Sequence, residues 1–75
     1  MMGSLCILNG DKEEKYFWTP DEPEQTRIAR EKFDHYRKQG FVACIVVHDG
    51  KTGFQISQFD PEAEEIFMLG LADGG

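Results

Sequence analysis

One stretch of this chain reads as a helix, and nearly everything around it reads as strand. Between Asp21 and Gln39, Ile28, Ala29, Phe33 and Tyr36 recur at the spacing of an amphipathic helix, and Gly40 is a natural stop. Asp21 is a plausible N-cap, with Glu24 completing a capping-box pattern and Pro23 in the first turn. Thr19 with Glu22 is a rival start. On the other side, Arg27 with Glu31, Arg30 with Asp34 and Asp34 with Lys38 can pair across one turn. A lone helix has nothing of its own to bury its stripe against, so the remaining elements must supply a sheet.

The strands are legible from their alternation. Residues 4–8 are apolar and end at Asn9-Gly10, a strong hairpin signal. Residues 11–14 are polar and able to widen that loop. Residues 15–18 return as a strand with Tyr16 and Trp18 on one face and Phe17 on the other. Residues 41–48 form the richest strand, apolar on both alternating faces, which points to a central position in the sheet. Residues 49–53 turn, 54–59 resume as a strand nearer an edge, and Asp60-Pro61 opens a short helical turn through Glu64. Residues 65–69 make a last short strand, and 70–75 a glycine-rich tail. The expected fold class is α+β: one helix on a mixed sheet of four or five strands, in the order ββαββ(turn)β. Residues 1–69 form the single domain, and 70–75 the flexible tail.

At 75 residues the chain holds one modest core, since a domain this small buries only about 60% of its unfolded surface. Hydrophobic residues at 40% and charged residues at 29% fit a soluble globular chain. The longest apolar run, 41–47, is too short to span a membrane, and residues 1–8 lack the basic start of a secretory signal. The formal net charge is −6, which disfavours nucleic acid and anionic membrane as partners. No Lys or Arg follows Lys51, whereas Asp60, Glu62, Glu64, Glu65 and Asp73 do, so the last third is an acidic surface. Cys6 and Cys44 are too few for a disulfide framework or a zinc site and read as two buried thiols in a reducing, cytoplasmic setting. A bridge between them requires their strands to be neighbours.

The search for catalytic chemistry ends without a site. His35 lies on the polar side of the helix and His48 ends a strand, neither at a nucleophile's spacing. The acids at 62–65 are too close in sequence for a metal cage, and Gly50 and Gly53 lack the helix start of a phosphate loop. The expectation is a protein with no catalytic residue, metal or cofactor of its own.

What remains is the end of the sequence, Glu65-Ile66-Phe67-Met68-Leu69 followed by Gly70-Leu71-Ala72-Asp73-Gly74-Gly75. With the order of elements, this segment resembles the β-grasp, ubiquitin-like superfamily. In particular it resembles sulfur carriers of the molybdopterin-synthase small-subunit and thiamine-biosynthesis type. Residues 59–66 also resemble short, uncharacterised bacterial and phage proteins ending in Gly-Gly. The first resemblance implies a carrier or modifier whose terminal carboxylate, on Gly75, is adenylated by an ATP-dependent activating enzyme. It then becomes a thiocarboxylate or passes to an acceptor protein. Gly74 would let the end enter a narrow tunnel, with Gly70, Leu71, Ala72 and Asp73 as linker. Glycine suits that role because it has no Cβ to obstruct a closing site. Two departures stand out: Gly70-Leu71 where such carriers often have prolines, and Asp73 where ubiquitin-type modifiers are basic.

A different class of reading is a small non-catalytic interaction module that binds through a sheet face or edge. It would use exposed aromatics such as Phe17 or Phe54 with an acidic rim, although the core is the expected place for most of these aromatics. A subunit stabilised by self-association is a third reading, and a monomer is the expectation.

Overall fold

A computed structural model describes residues 2–46 and 53–70. Strand β1 (Gly3–Asn9) turns into β2 (Lys12–Trp18), helix α1 (Pro23–Lys38) follows, and then come β3 (Val42–Val46), β4 (Gly53–Ile56) and β5 (Glu65–Leu69). The strands form one five-stranded mixed sheet in the order β2-β1-β5-β3-β4. The protein is therefore α+β, one helix on a five-strand mixed sheet. The order in the sheet differs from the chain order: the last strand enters the middle, parallel to β1 and antiparallel to β3.

Several local expectations shift for identifiable reasons. The hairpin loop is not widened: Asn9 pairs with Lys12, so Gly10 and Asp11 alone make the turn. Gly10 has φ +67°, the glycine-first pattern of a type II′ turn, which moves the turn centre one residue past Asn9-Gly10. The helix starts with Glu22 as N-cap, not Asp21, and no side chain caps it. Instead Glu22 N–H donates to the Thr19 carbonyl (3.1 Å), and the Gln25 side chain accepts from Thr19 N–H (3.2 Å). Pro23 takes the first helical position, as expected.

The far end of α1 closes as anticipated. Gly40 has φ +95°, with Phe41 N–H bonded to the Tyr36 carbonyl and Gly40 N–H to that of Arg37, each at 3.0 Å. That is a Schellman closure, and the Tyr36 and Phe41 rings (centroids 4.8 Å apart) supply its apolar contact.

Helix and sheet bury Leu5, Ile7, Trp18, Ala29, Phe33, Ala43, Ile66 and Met68 between them. Ile28 is not part of this seam; it is 37% exposed, on the margin of the helix's buried stripe. Trp18, Phe59 and Phe33 stack edge to face, with centroids 5.0 and 5.8 Å apart. Arg30 lies over the outer side of the Phe59 ring at 5.6 Å. Arg27 pairs with Glu31 as expected, and with Glu24 as well.

β3 has neighbours on both sides, yet the sheet centre is β5, whose Ile66 and Met68 are fully buried. β4 is an edge and ends at Ile56, shorter than residues 54–59. The anticipated turn at Asp60 is a single tight one. Ala63 N–H bonds the Asp60 carbonyl (3.1 Å), and Glu62 N–H bonds the Asp60 carboxylate (3.0 Å). Val47, His48 and the turn before Gly53 lie outside the described residues. Among the described residues no helix is long and apolar enough to cross a membrane.

Candidate functional site

The alternation of the strands assigns each residue to a face. Leu5, Ile7, Ile66, Met68 and Ala43 face the helix, so their neighbours in sequence face the other way. That second face has no helix over it among the described residues. Across it run Phe17 from β2, Cys6 and Leu8 from β1, Phe67 and Leu69 from β5, and Val42, Cys44 and Val46 from β3. Phe17 and Leu69 are 53% and 43% exposed, and Leu8, Val42, Cys44, Val46 and Phe67 are half-buried. Polar groups on the same face are Ser4, Glu13, Lys15, Gln55 and Glu65. A face this apolar is a surface suited to a partner.

Phe17 and Phe54 are both exposed, where the core is the expected place for most such aromatics, and they do not belong to one surface. Phe17 is on the open face at the β2 edge. Phe54 pairs with Ile45, whose other partner is the helix-facing Ile66, so Phe54 stands on the helix side at the β4 edge.

The two thiols sit in one row of the open face on either side of Phe67. Their strands are not neighbours; two strand spacings separate them by about 9–10 Å, beyond disulfide reach. Both are free, with Cys6 buried and Cys44 half-buried. Burial, and then the hydrogen bond it donates to Glu13 (3.2 Å), push the Cys6 thiol above its ordinary pKa. It stays protonated near neutrality and is a poor nucleophile. His35 contacts Gln39 through Nε2 at 2.8 Å, and His48 lies outside the described residues. Among the described residues no group of three or more His, Cys, Asp or Glu side chains could hold a metal ion.

Of the anticipated carrier segment, Gly70 is described; Leu71, Ala72, Asp73, Gly74 and Gly75 lie outside the described residues. Gly70 N–H donates to the Leu8 carbonyl at 3.0 Å, extending the parallel β1–β5 ladder by one bond. A Cβ added at Gly70 would lie 2.8 Å from Cζ of Phe41. The backbone bond seats the residue beside β1, and a Cβ there would force the Phe41 ring to shift.

One constellation escaped the sequence reading. Glu14 on β2 accepts from the Tyr16 hydroxyl (2.6 Å) and from the Tyr36 hydroxyl (2.5 Å), tying the edge strand to the last turns of α1. The signal was the one-face spacing of Glu14 and Tyr16 opposite a helical tyrosine. The hydrogen bonds from Tyr16, then Tyr36, hold the Glu14 carboxyl below its ordinary 4.5. The same bonds, with burial second, raise both phenols, that of Tyr16 from 10.0 to about 12. A depressed carboxyl stabilises above its unfolded value and loses that contribution as pH falls through the folded one. A raised phenol stabilises below 10 and loses its contribution as pH climbs toward 12. The urea midpoint should thus decline on both flanks, and phenolate absorbance should show Tyr16 ionising near 12. Both tyrosines ionising together near 10 would remove the clamp. Glu14→Ala should cost about 0.5–1.5 kcal/mol, because two partly buried hydroxyls exchange their acceptor for water.

No family model, no curated protein and no solved structure matches the chain.

Proposed function

We propose that this protein is a β-grasp, ubiquitin-like carrier or modifier: a small body without catalytic groups that presents Gly75 to an ATP-dependent activating enzyme. The observation that carries the reading is the anchorage of Gly70. β5 lies at the sheet centre, bonded on both sides, and the Gly70 bond to Leu8 continues the ladder to the point where the linker begins. A helix clasped by a five-stranded mixed sheet is compatible with a β-grasp. In the reaction the Gly75 carboxylate attacks ATP, releasing diphosphate and forming an acyl adenylate. A sulfur or amine nucleophile then displaces AMP. The enzyme supplies the acid, base and metal. The carrier supplies a backbone end without side-chain bulk.

The test begins with the intact mass of the protein taken from its own cells, which must correspond to a chain ending at Gly75. Incubation with its activating enzyme, ATP and a sulfur donor should then exchange one carboxylate oxygen for sulfur. A chain that continues uncut past Gly75, or one that stays a plain carboxylate with sulfur donor and with acceptor protein alike, defeats the reading.

The open face favours a second reading, a non-catalytic module that holds a folded partner. A photo-crosslinking residue at Phe17 or Leu69 should then give one discrete adduct in cells, and the same residue at Ile28 none. Deleting Gly74 and Gly75 separates the two readings: the adduct persists for a binding module, while carrier activity is lost. Adducts equally strong from Ile28 would remove the binding reading.

A further inference from the structure

The two edges of the sheet are not guarded alike. β2 carries Lys12, Glu13, Glu14 and Lys15 along its length, and its Glu14 is tied to the helix through Tyr36. Such charges and cross-ties are how sheets discourage unwanted pairing. β4, at the other edge, reads Gly53-Phe54-Gln55-Ile56: no charge, no proline, and a neighbour on one side only. Its Phe54 is 55% exposed. Beside it lies a groove of about 470 Å³ between the strand and residues 60–64, lined by Ile45, Phe54 and Ala63 with Asp60 and Glu62 on its rim.

Among the described residues the lining contains carboxylates and no Lys or Arg. This decides what the edge can accept. A second copy of the chain, itself at −6, would bring acid against acid. An extended segment with basic side chains would instead meet opposite charge while its backbone continued the sheet. We propose that the β4 edge is a docking site for an extended peptide segment of a partner protein. That segment adds as a sixth strand, lays an apolar side chain against Phe54 and Ile45, and directs Lys or Arg toward Asp60 and Glu62. Backbone pairing supplies affinity, and the groove with its rim supplies the preference. The site uses none of residues 70–75, so it stands or falls independently of the carrier reading.

The probe is a short, end-capped peptide of alternating lysine and valine, titrated into the intact isotope-labelled protein and followed by backbone amide resonances. Shifts should concentrate at Gly53, Phe54, Gln55 and Ile56 and at residues 60–64. Phe54→Ala, a change at an exposed side chain, should weaken binding about tenfold. Glu62→Gln should weaken it about two- to fivefold, with the loss shrinking in high salt. A peptide of the same sequence methylated on alternate backbone nitrogens should not bind, because it cannot complete the ladder. The proposal is overturned by equal binding of a glutamate–valine peptide, equal binding of the methylated peptide, shifts confined to the open face around Phe17 and Phe67, or no shift at any attainable concentration. Concentration-dependent shifts of the β4 amides without peptide also overturn it, since the edge would then take a second copy.

Discussion

Phe33→Ala should leave the protein close to unfolded at ordinary temperature. Phe33 is fully buried where α1 meets the sheet, and its ring stands 5.8 Å from that of Phe59. Truncating a buried phenylalanine costs about 3–5 kcal/mol, the lost transfer energy plus the cavity left behind. A domain of this size has a total stability of only about 4–11 kcal/mol. One substitution therefore removes about a quarter of the total at the least and all of it at the most. The measurement is a urea titration followed by far-ultraviolet circular dichroism. Phe33→Leu should retain most of the stability, because it conserves much of the volume. Ile28→Ala should change little, since Ile28 is exposed and alanine is the better helix former. If Phe33→Ala and Ile28→Ala fell within about 1 kcal/mol of each other, the helix would not be seated as described.

The contrast between Ile28 and Phe33 shows how far the sequence could be read. Helical periodicity identified an apolar stripe, and strand-forming residues between turn signals identified five segments. Local chemistry located Pro23 at the helix start, Gly40 at its end, Asp60 at the tight turn and residues 65–69 as the last strand. All of these depend on neighbours within a few residues. What could not be read depends on pairing across the sheet. The centrality of β5 follows from bonds to β1 and β3, more than fifty and about twenty residues away, which no local pattern encodes. The run at 41–48 was apolar on both faces, which signalled an interior strand. It also signalled an apolar face without a helix, and that became readable only once Leu5, Ile66 and Met68 had fixed which side the helix occupies. Phe17 and Phe54 looked alike in sequence for the same reason. Their separation onto opposite faces and opposite edges is a property of register. The Glu14 clamp joins two elements twenty-two residues apart and had no local signature beyond three polar groups.

Gly3→Ala, one added methyl group, should be the most damaging small change in the chain. An ideal Cβ at Gly3 would lie 2.2 Å from Cε2 and 2.3 Å from Cζ2 of Trp18. The indole is held by contacts that any shift would disturb. It is 2% exposed, meets the Phe59 ring edge to face at 5.0 Å, and donates from Nε1 to the Pro61 carbonyl at 2.9 Å. Overpacking of this kind costs about 1–3 kcal/mol, and displacing the ring adds the cost of an orphaned donor, about 1–3 kcal/mol. A loss of about 3 kcal/mol is the expectation. The cause can be separated from a general intolerance of β1 by a double-mutant cycle with Trp18→Phe, which deletes the colliding atoms. Trp18→Phe destabilises by itself, through the lost bond and the space left behind. On that background the alanine should cost far less than on the wild type, giving a coupling well above the 0.5 kcal/mol at which independent sites add. Strict additivity would mean that the ring is not what confines Gly3. The consequence reaches beyond stability, because the bond from Trp18 to Pro61 fastens residues 60–64 to the first hairpin. Those residues lead into β5 and form one wall of the groove beside β4. Amide exchange at Ala63 should therefore accelerate in Gly3→Ala more than exchange at Phe33 in the helix does, and equal acceleration at both would detach the turn from the indole.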